Sequence, residues 1–143
     1  MLNYFKKFSI LQKIALVYCL LFLWVVFIGY VPGFKDEQGA LFGLFHLEWW
    51  DDLLHFASAV WAIAAAYISI KQVKIYFLLF GTMYFLDGLL GLITGVGYLD
   101  LAIFKHGPSN LDLMTKVFAN LPHILIGGSQ VIFYLIYRNL RMP

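Results

Sequence analysis

Few side chains in this sequence can do chemistry, and those few recur in a pattern. Asp52-Leu-Leu-His55 is followed by Ala59, and 68 residues after His55 the arrangement returns as Asn120-Leu-Pro-His123 followed by Gly127. Between the two copies, Asp87 stands alone inside a long apolar stretch. Ionisable groups in such stretches are costly and mark functional sites by default. Two neutral imidazoles (His55, His123) with Asp52 and Asp87 are the donor types that hold a divalent transition metal such as zinc or iron. Two histidines on facing helices are also the axial pair of a b-type haem. The same groups would serve a proton relay or a small-solute path. An apolar, aromatic surround would equally suit a lipid or quinone-like ligand.

A plainer role competes with all of these. Asp52 and Asn120 are good N-cap residues, and Pro122 is tolerated in a first helical turn. Each histidine, three residues on, would then lie one turn deeper on the same face. Every helix start needs such a cap, so the motif reads first as a helix entrance and second as a site.

The elements that position these residues follow from composition. Of the 143 residues 62% are hydrophobic, 19% aromatic and 13% charged. A soluble domain carries about 45–50% apolar and about 25% charged residues. Disorder is excluded, since it needs low hydrophobicity and high net charge. One small soluble core could not bury so much apolar surface. The net charge of +2 is too small to suggest nucleic acid. Cys19 is the only cysteine, which excludes an internal disulfide and a thiolate metal cluster and leaves a small buried hydrophobe.

Charges divide the chain into four apolar stretches, read as spans at about 14–34, 53–70, 75–96 and 120–137, with outer loops 35–51 and 97–119. Each meets the roughly 17–25 residues a helix needs to cross hydrocarbon. Backbone groups in lipid must be satisfied internally, so the spans are helices. The first is too long for the core of a signal peptide, and FIGYVPG offers no small-x-small cleavage site. Lys6, Lys7, Lys13, Lys71, Lys74, Arg138 and Arg141 fall on one side, against Lys35, Lys105 and Lys116 on the other. The positive-inside rule places both termini in the cytoplasm. Trp49, Trp50 and Tyr98 sit where an outer aromatic belt would be. The stretch 39–50 is apolar enough to lie on the membrane surface, and 109–119 reads as a short amphipathic helix.

Helix faces then gather the site. His55, Ala59, Ala62, Ala66 and Ser69 form one stripe; Asp87 shares a face with Tyr84, Gly91 and Thr94, and Gly91 with Gly95 is a small-xxx-small pair; His123 aligns with Gly127, Gln130 and Tyr134. Small and polar residues mark close helix contact in membranes, so all three ionisable groups are expected to face inward. At about 1.5 Å per residue, Asp87 lies about 12 Å below the outer end of its span and the histidines about 5 Å below theirs. Ser58, three residues after His55, is expected to pack as a small residue. Of the remaining histidines, His106 reads as a solvated loop residue and His46 as a residue able to fold over the site. No phosphate loop, dinucleotide fingerprint, nucleophile motif or HExxH signature is present.

The stretch LFGLFHLEWWDDLLHFASAVWAIAA, together with ANLPHILIGG, resembles a domain-of-unknown-function family of small bacterial four-span membrane proteins with a repeated Asp/Asn-x-x-His-x-x-x-Gly motif. Asn120, His123 and Gly127 meet that pattern; Asp52 and His55 meet it with Ala59 in place of the glycine. The resemblance covers roughly the last hundred residues and implies a multi-pass protein of the bacterial plasma membrane. It brings no assigned chemistry.

The expectation is a single all-α domain, a polytopic four-helix bundle of two similar hairpins, with the lipid bilayer as its surround and a homo-oligomer or larger membrane complex as its assembly. Function is expected to be non-enzymatic, as a ligand-binding or accessory subunit with a polar pocket at Asp52, His55, Asp87, Asn120 and His123. A metal- or haem-dependent enzyme or redox carrier and an ion or solute transporter are the alternatives.

Overall fold

Five helices and no strand make up residues 8–45 and 47–139, which the computed structural model describes. Helix α1 (Ile10–Ile28) starts at Ser9, whose hydroxyl accepts from the Gln12 amide while the Gln12 side chain accepts from the Ser9 amide. That reciprocal pair is a capping box. The Gln12 amide nitrogen also donates to the Ala66 carbonyl (2.7 Å), tying the start of α1 to the end of α2. After a 3-10 turn at Pro32–Phe34, residues 35–45 form a tight loop around Asp36, whose carboxylate accepts from the Gln38 and Ala40 amides.

Helix α2 (Trp49–Ile68) runs back beside α1, and Ser69 alone separates it from α3 (Ile70–Thr94). Ser69 is extended, and its hydroxyl accepts from the Gln72 amide, so one residue ends one helix and caps the next. Beyond α3 come a five-residue helix α4 (Ala102–His106) and the long helix α5 (Leu113–Tyr137). The tightest packing joins α1 to α2 and α3 to α5.

Three helices, α1, α3 and α5, are long and apolar enough to cross a membrane. Their outer faces carry exposed Leu20, Phe27, Ile93 and Leu125, while Phe22, Ala62, Tyr76, Phe77 and Tyr84 are buried between helices. The alanine stripe of α2 is buried as its spacing predicted, from His55 through Ala59, Ala62 and Ala66. Cys19 is buried among them, as a small hydrophobe.

Two capping expectations are corrected. Helix α5 begins seven residues before Asn120, at Leu113, because Asp112 accepts from the Thr115 amide and is the N-cap. Asn120 and Pro122 are therefore interior, and residues 113–119 extend the spanning helix without forming a separate surface helix. Proline inside the helix withdraws one backbone donor, and the helix continues through it because its neighbours hold it in place. Asp52 is likewise the fourth residue of α2, not its cap, since Glu48 precedes the helix and its amide donates to Asp51 (2.8 Å).

Glycine sets the α3–α5 distance. A Cβ on Gly91 would overlap the Asn120 amide, one on Gly88 would lie 2.7 Å from Ile124, and one on Gly127 would overlap the backbone of Phe85. Gly95 has a separate role from the small-residue pair expected for it. Its φ of +85° ends α3 in the left-handed conformation that glycine tolerates, and the Ser109 amide caps the Thr94 carbonyl beyond it.

This interface makes a prediction. Gly127→Ala pushes a methyl into backbone that cannot rotate away and is expected to destabilise the protein by about 1–3 kcal/mol. Gly128→Ala meets only the edge of the Phe85 ring at 3.4 Å and should be nearly neutral. Unfolding of the two variants in detergent, followed by circular dichroism, checks the difference.

Candidate functional site

Asp87 is 1% exposed two turns before the end of α3, and both oxygens of its carboxylate accept hydrogen bonds. One oxygen accepts from the backbone amides of Tyr98 (2.6 Å) and Leu99 (2.8 Å), and the other from Nδ1 of His123 (2.6 Å). The two amides belong to the loop that follows α3, so the carboxylate folds that loop back over its own helix. Gly97 lies directly against it; a Cβ there would collide with both carboxylate oxygens. The Tyr98 hydroxyl donates to the Met83 carbonyl, pinning the same loop a turn lower.

His123 reaches Asp87 because α5 packs closely on α3. With its Nδ1–H donated to Asp87, the ring leaves Nε2 without a partner among the described residues. The Tyr84 ring lies between the two histidines, its centroid 4.8 Å from His123 and 6.4 Å from His55. His55, 7% exposed, donates Nδ1–H to the Asp51 carbonyl one turn earlier (2.6 Å), again leaving Nε2 free. Ser58 is buried and donates to the Leu54 carbonyl, as expected of a packing residue.

These groups line a cavity of about 340 Å³. His55, Asp87, Asn120 and His123 border it, together with Asp51 and Asp100. The cavity is roofed in part by α4, whose Lys105 ammonium stands 3.8 Å from Glu48 and 5.2 Å over the Trp50 ring. His106, expected in a solvated loop, is exposed and lies on the cavity rim. The expectation for His46 lies outside the described residues.

Four of the five residues expected in the pocket, His55, Asp87, Asn120 and His123, border this cavity; Asp52 does not. Its carboxylate accepts from the Tyr30 hydroxyl (2.6 Å) on the exposed side of α2. Asp51 takes its place. The sequence carried the signal, since Asp51 and His55 are four residues apart and share a helix face, but the motif spacing drew attention to Asp52. Asn120 contributes packing, its amide nitrogen donating to the Lys116 carbonyl.

Burial pushes the Asp51 carboxyl up to about 6, helped by the charges of Asp100 and Glu48 and opposed by the Glu48 amide and by His123. The expected metal set of His55, His123, Asp52 and Asp87 does not assemble. Among the described residues no three histidine, cysteine or acidic side chains converge on one point, because Asp87 is spent on two amides and Asp52 faces Tyr30.

Comparison with known families now places the chain. A family model described as a domain of unknown function (DUF4383) matches residues 12–121, more than half of the sequence. The chain belongs to the DUF4383 family. No curated protein and no solved structure matches it. The DUF4383 match takes in Asp51, His55 and Asp87 and ends two residues before His123. It covers α1, α2 and α3 and the first third of α5, a longer stretch towards the N-terminus than the motifs alone suggested.

Two outcomes follow from this geometry. Asp87→Ala leaves two backbone amides and an imidazole without an acceptor, and is expected to cost on the order of 3 kcal/mol in detergent unfolding. Asp51 binds its proton more tightly in the folded state than in the unfolded chain. Its stabilising effect is therefore complete below about pH 4 and is lost as pH rises through about 6. Asp51→Asn should flatten the stability profile between those limits, measured by thermal unfolding across pH.

Proposed function

We propose that this DUF4383 protein is a four-span protein of the bacterial plasma membrane, α2 being the fourth span, with both termini cytoplasmic and a ligand-binding pocket on the outer side. Its role on this reading is non-enzymatic, as a binding or accessory subunit. The observation that carries the proposal is the pair His55 and His123. Each has its Nδ1–H committed to a fixed acceptor, and each borders the same cavity with Nε2 unspent. A purely structural histidine gains nothing from leaving one nitrogen towards a cavity, whereas a binding residue needs its ring oriented and one nitrogen available.

The apolar outer faces of α1, α3 and α5 support insertion in a bilayer, and the excess of lysine and arginine at the ends opposite the cavity supports the orientation. Helix α2 spends its first turn on Trp49, Trp50, Asp51 and Asp52 at an aromatic, acidic boundary, and is apolar through most of its remaining length. Those first residues suit the outer interface, where tryptophan collects.

Cysteine labelling tests both pocket and topology. Cys19 is buried and is the only native cysteine, so Cys19→Ala gives a clean background. Ala119→Cys places a thiol in the cavity lining. In intact cells it should react with a membrane-impermeant maleimide added outside. Reaction only after the membrane is permeabilised would overturn the proposed orientation. Purified protein is expected to show no Soret band and no stoichiometric metal. A band or metal lost in His55→Ala and His123→Ala would replace this reading with a redox or metal-dependent one.

A further inference from the structure

We propose that the outer cavity binds a primary ammonium group, carried either by a small free amine or by the ethanolamine headgroup of a lipid. The inference rests on the pocket reading above and adds the chemistry of the occupant. It comes from an inventory of what the lining has left to offer. Most of the donors are engaged. Both Nδ1–H groups go to Asp51 and Asp87, one N–H of the Asn120 amide to Lys116, the Tyr98 and Leu99 amides to Asp87, and the Lys105 ammonium stands 3.8 Å from Glu48. The acceptors are in surplus. His55 and His123 each keep an Nε2 lone pair with no partner among the described residues, and Asp51 uses only one oxygen, on the Glu48 amide. His55 is 7% exposed, so its free nitrogen is set deep in the wall and not at a wet surface.

Charge points the same way. Glu48, Asp51, Asp87 and Asp100 line the cavity, and Lys105 is the one lysine or arginine among its lining residues. A site with unspent acceptors and excess negative charge selects a cation that carries N–H donors. A quaternary ammonium has the charge without the donors, and an anion has neither. The chain itself already holds a primary ammonium here, since Lys105 sits between Glu48 and the face of Trp50. The cavity volume of about 340 Å³ admits a small amine or a headgroup. Placement at the outer interface on the proposed topology gives both sources access.

Asp51 sets the pH dependence. It faces Glu48 at the start of α2, His55 one turn on, Asp100 from the loop after α3 and His123 from α5. Ionised above about pH 6, it attracts the ammonium; protonated below, it does not.

The test titrates ethanolamine into the full-length protein in detergent by calorimetry. Saturable binding at pH 7.5 is expected, with tetramethylammonium at least tenfold weaker. Binding should fall about tenfold at pH 5, where a carboxyl titrating near 6 is about nine-tenths protonated. Lys105→Met removes the internal competitor and should tighten binding, a gain that misfolding cannot imitate. Asp51→Asn should abolish the pH dependence and weaken binding. For the lipid source, nanodiscs containing phosphatidylethanolamine should raise the unfolding temperature over those of phosphatidylcholine alone. The proposal is overturned if neither wild type nor Lys105→Met responds to ethanolamine and the two nanodiscs agree. Equal affinity for tetramethylammonium would overturn it as well. Labelling of Ala119→Cys from outside under those outcomes would leave the pocket reading standing and remove only its ligand.

Discussion

A carboxylate drawn out of water has to be surrounded by donors, and much of this end of the protein follows from how that is done for Asp87. Two adjacent backbone amides and one imidazole converge on it from two separate places in the chain. Charge-assisted hydrogen bonds of this kind are roughly twice as strong as neutral ones, and their loss in a buried setting leaves every donor stranded. The loop 97–99 lies against α3 because of this carboxylate, and His123 is oriented by it. The floor of the cavity therefore exists only when α3, its following loop and α5 are all in place.

Close packing makes that convergence geometrically possible. The imidazole of His123 is short, and it meets Asp87 only because glycines at 88, 91 and 127 let α3 and α5 approach to backbone contact. Gly97 does the same for the loop. The aromatic column of Tyr76, Phe80 and Tyr84 runs along α3 beside these glycines, with Phe22 of α1 set edge-on against Phe80 and Tyr84. Small residues and large aromatic ones interleave along the helix and divide it between precise contact and bulk filling. The site sits at the seam.

Two histidines on facing helices with parallel hydrogen-bonding habits carry the proposed function. One is oriented by a carboxylate, the other by a carbonyl of its own helix, and both leave the same nitrogen towards one space. Metal-ligating histidines use such supports too, yet the third donor that a metal requires does not converge here among the described residues. On the proposed reading, an acceptor-lined pocket with an internal lysine at its mouth takes a cationic hydrogen-bond donor and not a bare ion.

Much of this was readable in the sequence for one reason: charge is expensive in apolar surroundings. Asp87, His55 and His123 stood out against a hydrophobic background, and periodicity placed the alanine stripe and the inward faces without any structure. All-α architecture followed from the need of a chain in lipid to satisfy its own backbone. The caps were misassigned because a helix start depends on which residue is first able to leave the helical conformation, and Glu48 and Asp112 did so ahead of the motif residues. The exchange of Asp52 for Asp51 has a similar origin. Adjacent carboxylates on a helix differ by about 100° in direction, and only the packing of α2 against its neighbours decides which faces the cavity and which faces Tyr30. Sequence alone thus determined where charge must be explained. Tertiary structure decided how, because a hydrogen bond to a buried carboxylate is a matter of tenths of an ångström between segments far apart in the chain.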